Sequence, residues 1–305
     1  MYTYTAYGLG IHSTLPLPEL KVSKTEADVV IRQEKLQLQP SQTEETNPSC
    51  WAIGKDIYIF WQGLGKCLMR NGEKIIIDPA SEIEPRILRL FLLGGALPIV
   101  LSQRGLLVLH ASAVEIDGQA VAFLGAKGSG KSTMAAILHR RGHNFITDDT
   151  LAVQISQHQQ PLVFPSFGRF KLWCDSVTAL GQKPELLPTI SSVVDKRHCS
   201  VTNNIVEQPV PLGCIYVLGQ DPVLAIQPLS SSQGLLQLIR HTYNTERFRK
   251  QVLQGTGIAQ NFANCNKIVQ QVPIRSLLRP SSLDLLSDIA QLVEKDGNYY
   301  SQSSD

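Results

Sequence analysis

A lysine and a serine set directly behind a run of glycines are residue types that bind phosphate. Gly125, Ala126, Lys127, Gly128, Ser129, Gly130, Lys131 and Ser132 meet the pattern GxxxxGK[ST] in full and add a glycine at Gly128. Triphosphate oxygens must be met by several converging backbone N–H groups, and only a loop without bulky side chains can turn them inward. Lys131 is placed to reach the β- and γ-phosphates as a point charge, and the Ser132 hydroxyl to complete a magnesium shell. Together with Thr133, these residues are the expected contacts for ATP with Mg2+.

Downstream, HNFITDDTLAV closes an expected strand with the acidic pair Asp148–Asp149. At the end of a neighbouring strand one carboxylate can hold magnesium and another can take a proton from a hydroxyl nucleophile. Adjacent residues of a strand point to opposite faces, so the two are expected to do different jobs. A turn aspartate capping the next segment is the competing reading. Upstream, His110 ends the apolar run LLVLH. A lone histidine in such a place is more often a hydrogen-bonded structural group. If its strand lies beside the one feeding the glycine loop, however, it opens on the same crevice.

These residues need a strand before the loop and a helix after it. Ala120–Leu124 is an apolar run suited to a buried strand, and TMAAILHRRG places Met134, Ile137 and Leu138 on one helical face. Gly142 is a plausible C′ residue, with Arg140 and Arg141 near the negative end of the helix dipole. Further strands are expected at Leu106–His110, Gln119–Leu124, Asn144–Ile146, Leu151–Ile155 and Gly213–Leu218, with helices at Leu235–Tyr243 and Leu283–Val293. That alternation marks an α/β layer.

Before Pro79 the pattern changes to short apolar runs between turn residues, at Ala27–Arg32, Asp56–Trp61 and Lys74–Asp78. The expected organisation is a small β-rich domain over residues 1–79, α+β in character, followed by an α/β phosphate-loop domain over 80–305. Pro40–Pro48 and Ser301–Asp305 read as a loop tip and a solvated tail, and Gly181–Pro211 as a long polar loop. Within that loop Lys196 and Arg197 could clamp a phosphate or a peptide carboxylate, against the alternative of a solvated excursion. Arg169 and Lys171 alternate with Phe170 and Leu172 as on a half-buried strand, and could line the substrate side.

Composition narrows the partners. With 43% hydrophobic residues, 18% charged and a net charge of +2 over 305 residues, the chain carries no field that would recruit nucleic acid. The six cysteines show no CxxC pair and no zinc spacing, and read as reduced thiols of a cytoplasmic protein. The N-terminus lacks the pattern of a signal peptide. The apolar stretch Ile87–Leu101, which contains Arg89 and Pro98, is shorter than the roughly 20 residues that cross a bilayer and is expected to be a core helix.

The block from Leu109 to Val153 resembles the catalytic core of the HPr kinase/phosphorylase family, through His110, Lys131 with Ser132, Arg141–Gly142–His143 and Asp148–Asp149. The resemblance implies a phosphate-loop kinase in which Asp149 is the proton acceptor, Ser132 the metal-binding hydroxyl and His110 the active-site histidine. It also implies ATP, Mg2+ and a homo-oligomer. The glutamate-containing EIRG motif of the true HPr kinases is absent, and PSFGRFKLWCDSV at 165–177 stands in roughly that place. Over most of the chain the sequence looks more like the HPr-kinase-like proteins of peptide-modification systems. These include the lasso-peptide kinases, which phosphorylate a precursor-peptide serine. YGLGIHSTLPLPEL, LLGGALPIVLSQRGLLVLHASAV, FPSFGRFKLW and PVPLGCIYVLG carry that likeness. The implied partner is a peptide or protein bearing a serine, with no nucleic acid and no membrane. A true HPr-type protein kinase, a kinase of a small hydroxylated metabolite and an ATP-switched binding protein remain the other readings.

Overall fold

Short β-branched runs punctuated by residues that accept positive φ build the first sheet. In the computed structural model, which describes residues 1–37, 48–156, 160–190, 194–243 and 256–301, β1 (Tyr2–Ala6) turns into β2 (Leu9–Ser13) through Tyr7 at φ 55° and Gly8 at φ 70°. Two successive positive φ values match the right-handed twist of a hairpin. β3 (Lys21–Val22), β4 (Val29–Gln33), β5 (Ser49–Ile53), β6 (Asp56–Trp61), β7 (Gly65–Arg70) and β8 (Lys74–Pro79) complete an eight-stranded sheet of order β3-β1-β2-β4-β8-β7-β6-β5. The strands expected around 27–32, 56–61 and 74–78 are β4, β6 and β8. Of the expected loop tip over Pro40–Pro48, residues 40–47 lie outside the described residues, as does the tail from 302 on.

The apolar stretch that follows starts with Pro85 at its first turn, a position where the missing N–H costs nothing. It forms α1 (Pro85–Phe91), a π-turn over Leu92–Ala96, and α2 (Leu97–Gln103). Over Pro85–Gln103 its mean hydropathy reaches 1.5, long and apolar enough for a span by composition, yet 56% of that stretch is buried within the protein. It is a core helix of the first unit. α2 packs on β7 and β8. The Gln103 amide donates to Lys55 O at 2.6 Å and accepts from Gly72 N–H at 2.9 Å. The chain therefore divides after Val108: Met1–Val108 with Tyr243–Ala263 form one unit, and Leu109–Thr242 with Asn264–Asp305 the other. The boundary expected near Pro79 is displaced because the buried face of this helix is covered by the first sheet.

β9 (Leu107–Leu109) leads into the second unit, where β10 (Ser112–Ile116), β11 (Gln119–Leu124), α3 (Lys131–Arg140), β12 (Asn144–Thr147), β13 (Leu151–Gln154) and β14 (Leu162–Phe164) follow in turn. After them come β15 (Arg169–Trp173), α4 (Cys174–Ala179), β16 (Lys196–Ser200), β17 (Val210–Gln220), β18 (Ala225–Pro228), α5 (Ser231–Arg240), α6 (Thr256–Gln271, of which the part up to Ala263 belongs to the first unit), β19 (Ile274–Arg279) and α7 (Leu286–Ser301). The sheet runs β12-β10-β11-β17-β14-β13, with β19 on β17 and β18 on β19. β11 is parallel to β17 and β17 to β19, while β10 is antiparallel to both β11 and β12. The ends of β12, β11, β17 and β19 consequently share one edge of the sheet.

The stretch expected to be a loop, 181–211, holds a strand. β16 pairs antiparallel with β15, Trp173 against Lys196 and Arg169 against Ser200, as a separate two-stranded ribbon. Of its residues only Cys199 is buried, so the alternation that would betray a strand is faint in KRHCS. Phe170 and Leu172 of β15 face inward and join Phe145, Met134, Phe123 and Tyr216 in the core. α7 is tied to the end of α3 by Glu294, which accepts from Arg141 at 2.7 and 2.8 Å and lies 3.0 Å from His143 Nε2. The Tyr216 hydroxyl donates to Asp296 at 2.5 Å, and Arg275 pairs with the same carboxylate.

Phe145, fully buried, meets Phe170 edge-on with ring centroids 4.9 Å apart. Phe145→Ala should destabilise the second unit by about 3–5 kcal/mol, read as a lowered denaturant midpoint for that unit's transition.

Candidate active site

The turn from β11 into α3 is shaped by its glycines. Gly125 stands at φ 152°, Gly128 at 83° and Gly130, the N-cap of α3, at 90°. A side chain at Gly125 would meet Ser129 Oγ at 2.5 Å, and one at Gly130 would meet the Arg279 guanidinium at 2.4 Å. Among the described residues neither Gly128 nor Gly130 donates its N–H to another group. The Ser129 hydroxyl is also buried without a hydrogen-bond partner among them. Open N–H groups at a helix start, with an orphan hydroxyl beside them, are what an anion would satisfy. Ala126, Lys127 and Gly128 form the exposed tip, and Ser132 is half-buried.

Lys131 lies 6% exposed, its ammonium donating to the carbonyls of Gly125 at 2.9 Å and Ala126 at 3.1 Å. Burial pushes its pKa down, while Asp149 and Asp148 pull it up. Thr133 is committed elsewhere: it is buried, and its hydroxyl donates to Ser176 Oγ at 3.0 Å, so it pins α3 to α4.

The acidic pair sits at the same edge, just beyond β12. Asp149 adopts a left-handed φ of 76°, and the Thr147 hydroxyl closes the turn onto Thr150 O at 2.5 Å. Asp is one of the residues that accept this conformation. The strand has already ended, so the expected placement on opposite faces does not hold, and both carboxylates meet Lys171. Asp148 accepts the Lys171 N–H at 2.8 Å and the Ser112 hydroxyl at 2.6 Å. Asp149 pairs with the Lys171 ammonium at 2.7 Å, and the His110 Nδ1 lies 3.2 Å from its carboxylate and 3.1 Å from its carbonyl.

The charges set one another. Burial works to raise the Asp149 pKa, but Lys171 and His110, then Lys196, outweigh it and hold the carboxyl below the usual range. His110 is pushed below its ordinary value, by burial ahead of the opposing pull of Asp149. It is therefore neutral at pH 7, with its proton on Nδ1 facing Asp149. His241, whose carbonyl accepts the His110 N–H at 2.8 Å, is lowered to about 4 by burial and then by Lys131.

Of the two basic residues expected to face substrate from 196–197, the ribbon delivers one. Lys196 lies over the Trp173 ring at 5.0 Å, and its charge is felt by Asp149. Arg197, on the opposite face of β16, donates to Pro184 O at 3.0 Å and Asp195 at 2.9 Å, bracing its own loop. Arg169 shares the face of Lys171, its guanidinium 5.3 Å from the Phe167 ring. Ser112, His241 and Arg279 were not singled out by sequence. Ser112 carried a signal, since it stands two positions beyond His110 in HASAV; His241 and Arg279 reach the site from distant segments.

The loop fits a triphosphate by its open N–H groups. No group of three or more His, Cys, Asp or Glu side chains among the described residues could hold a metal alone. Magnesium takes most of its ligands from phosphate and water, so a hydroxyl such as that of Ser132 together with one carboxylate of the Asp148–Asp149 pair is a donor set of the right hardness.

No family model matches the chain, and no curated protein does. Among solved structures the Hpr(Ser) kinase/phosphatase from Coxiella burnetii is similar over 63% of this chain and 97% of that one, with 14% identity and a TM-score of 0.36. At that level the likeness decides neither activity nor site, and the chain's own geometry has to.

Because its folded pKa lies below the unfolded value of about 3.9, Asp149 contributes stability that is complete above that pH and lost as pH falls through the folded pKa. Acid unfolding of Asp149→Asn, followed by circular dichroism, should therefore show a shallower loss of stability below about pH 4 than the parent chain.

Proposed function

We propose that this chain is an ATP- and magnesium-dependent kinase that phosphorylates a serine hydroxyl of a peptide or protein. Asp149 is the proton acceptor. The observation that carries the reading is the meeting, at one sheet edge, of an anion-ready glycine loop and an ionised carboxylate held by Lys171 and His110.

When bound, ATP with Mg2+ supplies an activated phosphoryl group whose charge spreads over its outer oxygens. Residues 125–132 would hold it: the open N–H groups of Gly128 and Gly130 and the Lys131 ammonium would take the phosphates, and Ser132 and Asp148 would hold the metal. Lys131, now bonded to loop carbonyls, has donors to spare, because an ammonium carries three.

Asp149 orients the acceptor hydroxyl and takes its proton as the new P–O bond forms and the bond to the leaving diphosphate breaks. A carboxylate with a depressed pKa is a weak base. In a loose transition state little proton transfer precedes bond-making, so orientation matters more than basicity. Neutral His110 fixes the Asp149 carboxylate, and Lys171 keeps it ionised. Arg169 and Lys196, which share one face of the ribbon, are the residues assigned in this reading to contact the acceptor chain. The peptide acceptor, of the lasso-peptide precursor kind, is the part of the reading that rests on the sequence resemblance.

The test is transfer of label from γ-labelled ATP with magnesium to serine peptides, beside Asp149→Asn and Lys131→Ala. Asp149→Asn should keep ATP binding and lose transfer by about 10²–10⁴-fold. Lys131→Ala should weaken binding by about tenfold or more. Equal loss of binding and transfer in Asp149→Asn would remove its role as base. Binding without label on any peptide would point to a small hydroxylated metabolite or to an ATP-switched binding protein.

A further inference from the structure

Arg279 ends β19 beside the glycine loop and reaches it from 150 residues away: one terminal nitrogen donates to Ser129 O at 2.5 Å, and the other to Pro280 O at 3.3 Å. Its Nε is buried without a hydrogen-bond partner among the described residues, and no carboxylate pairs with the guanidinium among them. Burial alone acts on its pKa and pushes it down. A partly buried cation without a counter-charge is costly, and such a group persists where an anion is to arrive.

The contact has a directional consequence. Ser129 C=O and Gly130 N–H belong to one planar trans peptide and point opposite ways. With the Ser129 carbonyl drawn to Arg279, the Gly130 N–H points away from that guanidinium, and it has no partner among the described residues. Gly130 is needed twice over, for its φ of 90° and because a Cβ there would meet the guanidinium at 2.4 Å. An N–H held in its bound direction beforehand loses no entropy when the anion binds.

We propose that Arg279 is a positioning residue of the phosphate loop. It locks the Ser129–Gly130 peptide with its N–H toward the triphosphate and supplies a positive charge that the triphosphate neutralises. The inference rests on the triphosphate reading above and adds to it a residue from outside the motif. Arg279 acts on the phosphates and not on the nucleoside, so inorganic tripolyphosphate is the discriminating probe.

The experiment is calorimetric titration of the full chain, with magnesium, using ATP and inorganic tripolyphosphate separately. It compares the parent, Arg279→Ala and Arg279→Lys, each also melted without ligand. The expected result is that Arg279→Ala binds both about tenfold more weakly, by the same factor, with an unchanged melting temperature. Arg279→Lys, which keeps the charge and one donor, should fall between. Parent-like affinity in Arg279→Ala overturns the inference. So does a loss seen with ATP but not with tripolyphosphate, or a lowered melting temperature that Arg279→Lys restores without restoring affinity. If Arg279→Ala does not fold, parent-like tripolyphosphate affinity in Arg279→Lys overturns it. A parent chain that binds neither ligand defeats the triphosphate reading itself, an outcome distinct from any of these.

Discussion

The turn between β11 and α3 leaves the N–H groups of Gly128 and Gly130 with no acceptor among the described residues, so they are available to an anion. Much of the second unit around the loop holds it in that shape. Three glycines with positive φ let the chain curl without side chains in the way. The Lys131 ammonium satisfies two loop carbonyls from inside, and Arg279 takes a third from outside. Carbonyls are thus answered while the Gly128 and Gly130 N–H groups keep no partner among the described residues, which suits the loop to anions.

The acidic side is built on the opposite logic, in which each carboxylate is already met by two donors. Asp148 and Asp149 receive a hydroxyl, a backbone N–H, an ammonium and an imidazole. The left-handed turn at Asp149 makes this possible, since a continued strand would have sent one carboxylate away. Both halves of the site carry charges of opposite sign within reach of each other, as the influence of Asp149 on Lys131 shows. Removing one therefore disturbs the other, and effects of paired substitutions here will not add.

Behind these groups lies a packed core. Phe145 and Phe170 pack at right angles beneath the acid pair and the ribbon, so the strand that delivers Asp148 and the strand that delivers Lys171 share one core contact. Glu294 fastens α7 to the end of α3, while Asp296 joins α7 to β17 and β19 through Tyr216 and Arg275. Helix and strands around the loop are thereby held by side chains from the end of the chain. A site on such elements keeps its geometry better than one on loops alone.

The sequence by itself determined what short-range backbone chemistry can determine. Glycine spacing at 125–130, an apolar strand before it and a helical face after it specify the loop, and β6 and β11 fall on the expected residues. The presence of Asp148–Asp149 and His110 near that loop was also legible. Three things were not: that the acid pair leaves its strand in a left-handed turn, that KRHCS is a strand carrying Lys196 but not Arg197 to the site, and that the apolar helix belongs to the first sheet. Each depends on a partner remote in sequence, as do Lys171, His241 and Arg279. Local propensity reads φ, periodicity and caps within a few residues. Which distant side chain satisfies a buried charge is settled only when the sheet brings the strand ends to one edge.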